Sequence, residues 1–238
     1  MTDERFSRTE LVLGEAGMEA LGRARVIVFG AGGVGGAAIE ALARAGVGEI
    51  WVLDADVVSK SNINRQILAA DSTVGLTKVE AARRRVFDIA PDCHFVGVEH
   101  FYTPEDTGGI DLERFDYIID AIDTVKSKLY LIEEAERLGV PIICSMGTGN
   151  KVDPTRLTVS DISKTNTCPL AAVIRRECRK RGIRHLRVIW SDEIPCRSVA
   201  DSEGGRHAPG SVSFVPPVAG MIAAGEAVKA IISAKAEI

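Results

Sequence analysis

Short aliphatic runs alternate with apolar stripes at helical spacing along the first part of the chain. Residues 25–30, RVIVFG, read as a buried strand, and residues 34–45 follow as an apolar, alanine-rich helix. A second strand is predicted at 49–54, EIWVLD, a helix at 78–90 and a third strand near 94–99. The run 117–121 reads as a fourth strand and 125–138 as a helix; Gly139, Val140 and Pro141 then turn the chain into PIICS, a fifth strand. Strands that alternate with helices imply parallel βαβ units.

The texture changes after Gly147. Further strands are predicted at 157–161 and 187–191, around a helix at 169–181, and a closing helix at 216–234 behind a Pro-Pro start. Residues 192–210, DEIPCRSVADSEGGRHAPG, are polar and rich in Gly and Pro, the composition of a long functional loop. The expected fold class is α/β: a Rossmann-like, doubly wound, mainly parallel sheet with a C-terminal mixed-strand extension. It is read as a single domain over 1–238, with a first half at 1–150 and a second half at 151–238.

Composition narrows the setting. The 238 residues are 46% hydrophobic and 26% charged, ordinary for a globule with a sizeable core. The net charge of −4 excludes a molecule that adheres to nucleic acid as a whole. A basic stretch, Arg175, Arg176, Arg179, Lys180, Arg181, Arg184 and Arg187, is either a phosphate-neutralising, nucleic-acid-facing patch or a solvated helix face. The five cysteines, at 93, 144, 168, 178 and 196, include no C-x-x-C pair, and MTDERFSRTE lacks a signal-peptide run, so a reducing cytoplasm is expected. Pro216, Pro217, Glu226 and Lys229 interrupt the apolar stretch 212–234, which is expected to be a core helix and not a membrane span.

Candidate chemistry begins at Gly30-Ala31-Gly32-Gly33-Val34-Gly35, a G-x-G-x-x-G that follows a strand and opens a helix. The helix N-terminus offers unpaired N–H groups to phosphate. Asp54 ends the second strand 19 residues after Gly35, near the offset of a ribose-binding acid. NAD(P) and ATP both fit that much. The residues after Asp54 favour ATP: Asn62 and Asn64 carry amide donors, Arg65 a bidentate fork and Lys78 a point charge. Asp123, beyond the fourth strand, would face the phosphates from the same crevice, where a carboxylate calls for a cation such as Mg²⁺. Each has a blander reading: Arg65 as a surface ion-pair partner, Lys78 as a solvated helix residue, Asp123 as a helix N-cap.

The stretches RFSR (5–8), GAGGVG (30–35), LDADVVSKSNINRQ (53–66), TVGLTKV (73–79) and DAID (120–123) resemble the ubiquitin-activating-type adenylation enzymes, a superfamily that includes the molybdopterin and thiamine sulfur-carrier activators. The resemblance implies that Gly32, Asp54, Asn62, Arg65 and Lys78 contact ATP and that Asp123 holds Mg²⁺. It adds Gly30, Gly33, Gly35, Asp56, Ser61 and Asn64 to the nucleotide site, and leaves a monovalent cation open. It also implies a homodimer in which Arg8 reaches the other subunit's phosphates.

Three longer stretches, SMGTGNKVDPTRLTVSDISKT (145–165), CPLAAVIRRECRKRGI (168–183) and SVSFVPPVAGMIA (211–223), look like the tRNA threonylcarbamoyladenosine dehydratase branch. That branch implies ATP-dependent activation of the threonyl carboxylate of a modified adenosine beside the anticodon, then ring closure with release of AMP. Departures are visible. The C-x-x-C pairs of many sulfur-carrier activators are absent, so no structural zinc is expected. Cys168 stands where the branch commonly has aspartate, and Thr167 is the substitute cap. RHAPGSVSF lacks the late cysteine of some relatives, so a sulfur-relay partner finds no support. Cys196, in the polar loop, is a candidate nucleophile that an intramolecular attack does not need. Adenylation of a sulfur-carrier protein's C-terminus and a regulatory module without turnover are the rival readings.

Overall fold

The strands are short and apolar on both faces, so they need cover on both sides. The computed structural model describes residues 3–196 and 209–236. One seven-stranded sheet contains β1 (Arg25–Phe29), β2 (Glu49–Leu53), β3 (His94–Val98), β4 (Tyr117–Asp120), β5 (Ile142–Ser145), β6 (Leu157–Asp161) and β7 (Arg187–Ser191). Its order is β3-β2-β1-β4-β5-β7-β6. Neighbours are parallel throughout, except that β6 runs antiparallel to β7. The α/β class, the parallel sheet and the mixed C-terminal extension are as the sequence implies, with element boundaries within about two residues.

Helices α1 (Ser7–Arg23), α2 (Gly33–Ala45), α3 (Lys78–Ile89), α4 (Val125–Leu138), α5 (Pro169–Lys180) and α6 (Val215–Ala236) supply that cover. Period-two alternation divides the strand side chains. Val26, Val28, Ile119 and Ile143 join a core with residues of α2, α3 and α6, whereas Ile27, Phe29 and Ile118 pack with Leu131 and Ala135 of α4 on the other face. A third cluster joins Cys144 and Val188 to Ile174 and Cys178 of α5.

The sequence did not announce α1. Its segment, SRTELVLGEAGMEALGR, holds three glycines, and at Gly14 the backbone leaves the helix (φ 75°, ψ 167°). Only Gly17, Met18, Ala20 and Leu21 are buried, too few for an apolar stripe.

By length and composition α6 could cross a membrane. In this fold its inner face is committed to the interior: Ala219, Ala223, Ala224, Ala227 and Ile231 are buried in the same core as Ala38 of α2. The two helices approach so closely that a Cβ on Gly220 would lie 2.1 Å from the Val34 carbonyl oxygen, whereas one on exposed Gly225 would meet none of the described residues within 4 Å. Gly220→Ala is therefore expected to destabilise the protein by about 3 kcal/mol through overpacking. Gly225→Ala should stabilise it by about 0.5–1 kcal/mol through helix propensity. Thermal melts of the two variants, moving in opposite directions, check this packing.

Candidate active site

The strand order reverses between β1 and β4, the place where open α/β sheets bind ligands. Phe29 pairs with both Leu53 and Asp120, so three strand ends stop level with one another and their loops share one crevice. Gly30 turns with φ 90°, and a Cβ there would lie 2.9 Å from the Ala121 carbonyl oxygen. Gly35 admits no side chain, since its Cβ would lie 1.7 Å from the Gly30 oxygen. Gly32 is the N-cap of α2, and no side chain caps the helix. The first N–H groups of α2 therefore point at whatever anion enters.

Asp54 clasps this turn. It is 9% exposed; one carboxylate oxygen accepts the Ala31 N–H at 2.7 Å and the other the Asp56 N–H at 2.8 Å. Its remaining lone pairs can accept ribose hydroxyls. Lys78 is buried, so it is not a solvated helix residue. It opens α3, and its ammonium sits 2.6 Å from Asp56 and 3.5 Å from Asp54. The turn, Asp54, Asp56 and Lys78 thus form one linked unit.

Residues 61–66 fold over the turn: the Arg65 carbonyl oxygen would be 3.2 Å from a Cβ on Gly33. Within the loop, the Asn62 Oδ1 accepts the Ser59 N–H and the Ser61 hydroxyl lies 2.9 Å from that of Ser59. Among the described residues Arg65 has no carboxylate partner; its guanidinium donates to the Ser61 carbonyl and to the Asn64 Oδ1, both at 2.9 Å. Asn64 also donates its amide to the Ser211 carbonyl. It therefore ties the nucleotide loop to the chain that leads into α6, a role its sequence position did not reveal.

Asp123 is exposed, and among the described residues its carboxylate meets only the Thr124 hydroxyl, at 3.3 Å. Thr124, not Asp123, is the N-cap of α4. A single open carboxylate suits Mg²⁺, which takes one or two carboxylates and completes its shell with phosphate oxygens and water. Among the described residues no group of three or more His, Cys, Asp or Glu side chains is arranged to hold a metal.

Arg8 is not brought to this crevice. Phe6 rests against Gly46, beyond the C-terminal end of α2, with the Phe6 ring 3.6 Å from the position of a Cβ there. The 13 residues of α2 span about 20 Å, so an arginine two positions after Phe6 cannot reach its own chain's glycine turn.

The basic stretch is not one open cationic face. Arg176, Lys180 and Arg181 converge on Glu177, and Arg181 also reaches Glu133. Those bonds to Arg181, Lys180 and Arg176 hold the Glu177 carboxyl down to about 2. Arg187 pairs with Glu226, and Arg175 donates to the Thr165 carbonyl. Arg179 and Arg184 are exposed, with no ion pair among the described residues. Thr167 does not cap α5, because its hydroxyl meets the Asn166 side chain.

Two buried lysines escaped the sequence reading. Lys128 of α4 bonds Asp120 at 2.7 Å and the Ser145 carbonyl at 3.1 Å. Its signal was a charge at the inward spacing of Leu131, Ile132 and Ala135. Lys151 donates to the Ser191 carbonyl at 2.9 Å, and burial pushes its pKa down. Residues 197–208 of the polar loop lie outside the described residues, as does part of RHAPGSVSF. On the near side, the Cys196 N–H bonds the Asn150 carbonyl, and the Asn150 N–H bonds that of Gly210.

A turn that offers a helix N-terminus, a clasped acid and a buried lysine makes this an α/β protein built to hold a nucleotide by its phosphates. The chain belongs to the ThiF family, whose model matches residues 6–238. It is similar to the tRNA threonylcarbamoyladenosine dehydratase of Bacillus subtilis (strain 168), with 44% identity over 235 residues, 94% of this chain and 92% of that relative. Among solved structures it resembles the E. coli tRNA N6-threonylcarbamoyladenosine dehydratase in complex with AMP, with a TM-score of 0.91, 33% identity and coverage of 99% and 96% of the two chains. The same enzyme in complex with ATP matches with a TM-score of 0.88 at 32% identity, over 98% of this chain and 96% of that one.

Asp54→Ala strands the Ala31 and Asp56 amides and should destabilise the protein by about 3 kcal/mol, with ATP binding weakened roughly 10–100-fold. Melting and calorimetry of the same preparation measure both. Alkylation at neutral pH should label exposed Cys196 in the native protein and reach buried Cys93, Cys144, Cys168 and Cys178 only on unfolding, as read by peptide mass analysis.

Proposed function

We propose that this protein uses ATP to dehydrate threonylcarbamoyladenosine in tRNA, releasing pyrophosphate as the adenylate forms and AMP as the ring closes. The observation that carries this reading is the joining of the glycine turn, Asp54 and Lys78 by direct bonds, in a chain 44% identical almost end to end to a dehydratase of that name.

In this reading the 1–150 half holds the nucleotide and the 151–238 half faces the acceptor. The α2 N-terminus seats the phosphates and Asp54 takes the ribose. Asn62 and Ser61 line the loop above. The threonyl carboxylate attacks the α-phosphorus and pyrophosphate leaves, its charge balanced by Lys78 and Arg65. Lys78 serves this by exchanging Asp56 for phosphate oxygens. Asp123 is the residue that would hold Mg²⁺; the ion, when bound, would neutralise phosphate oxygens. The urea group of the same nucleoside then attacks the activated carbonyl and expels AMP. Both partners of that step belong to one molecule, so proximity replaces an enzyme nucleophile.

The site is completed by a second copy of the chain. Arg8 is held at the far end of α2 from its own glycine turn, which supports delivery to the partner's phosphates. A tRNA substrate fits a cytoplasmic setting.

The deciding experiment is mass analysis of tRNA nucleosides after incubation with enzyme and ATP. The modified adenosine should lose the mass of one water only when ATP is present. Unchanged tRNA, with adenylation of a sulfur-carrier protein's C-terminus, would replace this reading by its rival. Asp123→Ala should lower turnover by at least about 100-fold with an unchanged melt. Mixing Arg8→Ala with Asp123→Ala subunits should restore about one quarter of wild-type activity at statistical exchange, because half the dimers then carry one intact site of two. Exchange without recovery would count against the shared site.

A further inference from the structure

Lys128 and Asp120 are both 0% exposed and lie beside the crevice, yet the proposed chemistry uses neither. One Asp120 oxygen accepts from Lys128 at 2.7 Å, and the other accepts the Ile122 N–H at 3.0 Å. The same ammonium reaches the Ser145 carbonyl at 3.1 Å, and the Lys128 backbone N–H bonds Thr124. One buried cation thus fastens the end of β4, the end of β5 and the first turn of α4. These three points bracket residues 121–124. That loop presses on the phosphate turn through Ala121, which is 3.4 Å from the position of a Cβ on Gly35, and it carries Asp123 outward.

A buried ion pair is weak evidence for stability, because apolar residues of the same volume often hold a core as well or better. Apolar packing cannot, however, fix the Ile122 N–H and the Ser145 carbonyl at set positions. We propose that Lys128 is a positioning residue, which acts through Asp120 and Ser145 to set the loop that aims Asp123 at the nucleotide phosphates. It touches neither nucleotide nor metal. The proposal rests on the reading of Asp123 as the Mg²⁺ ligand.

The test uses the full-length protein and the paired variant Asp120→Asn with Lys128→Gln, which removes both charges and keeps hydrogen-bonding groups of similar size. Calorimetry measures ATP binding in a chelator and again with Mg²⁺. The variant should bind metal-free ATP within about threefold of wild type, since the glycine turn and Asp54 are untouched. The gain in ATP affinity on adding Mg²⁺ should be lost, and kcat with modified tRNA should fall roughly 10–100-fold with little change in KM. If the pair fails to fold, Asp120→Asn alone removes one of the two Asp120 bonds and should show the same shift at smaller size. A folded variant with the wild-type Mg²⁺ gain overturns the proposal, as does an equal loss of ATP affinity with and without Mg²⁺. A wild-type protein with no Mg²⁺ gain sinks the metal reading and this proposal with it. A wild-type gain without cyclised tRNA instead sinks only the choice of substrate.

Discussion

At Gly35 a side chain would begin 1.7 Å from the carbonyl oxygen of Gly30. That approach lets the chain leave β1, reverse and enter α2 within six residues. The helix N-terminus thereby lies at the strand ends, where β2 and β4 also stop. Everything polar at the site is set relative to this turn. Asp54 reaches it because β2 pairs with β1 residue for residue, from Arg25 with Glu49 to Phe29 with Leu53. The loop to Asp123 reaches it because Phe29 also pairs with Asp120. A one-residue slip in either ladder would turn the site's side chains to the wrong face.

The charges around this turn are arranged for an anion to arrive. Lys78 is held between two carboxylates, and of these only Asp56 is open to solvent, at 52% of its side chain. Asp54 is committed to two backbone amides and cannot move. In the proposed reaction, exchanging Asp56 for phosphate oxygens would leave the buried ammonium paired throughout, so its desolvation would never be uncompensated. Among the described residues Arg65 is held by hydrogen bonds to Ser61 and Asn64 and by no carboxylate.

What the sequence disclosed was whatever depends on neighbours along the chain. Strands, most helices, the glycine turn and Asp54 are local patterns, and they stand where the pattern placed them. What it concealed depends on neighbours across the fold. The long helix α1 is interrupted at Gly14 and draws its support from α6, where Ile232 lies 3.6 Å from the position of a Cβ on Gly17. The basic stretch read equally as a tRNA-facing patch or a solvated helix face, and the sequence concealed its pairing because Glu133 and Glu226, which neutralise two of its arginines, are remote in sequence. Asp120 and Lys128 are eight residues apart, too distant for a helical pair, and a lysine in an amphipathic helix ordinarily reads as solvated.

The cysteines bear on how the ring closes. Burial raises the thiol pKa of Cys93 and Cys178 to about 11 and that of Cys144 well above the usual range. A thiol so raised carries almost no thiolate near neutral pH, and thiolate is the attacking form. Cys168 is buried as well, which leaves exposed Cys196 as the one accessible thiol. A thioester route would have to run through that single residue. The proposed substrate already holds its own nucleophile beside the activated carbonyl, in a geometry worth several orders of magnitude in effective concentration. On that proposed chemistry the protein's task ends with making the adenylate and balancing the pyrophosphate that leaves, a task that the charges around the glycine turn would suit.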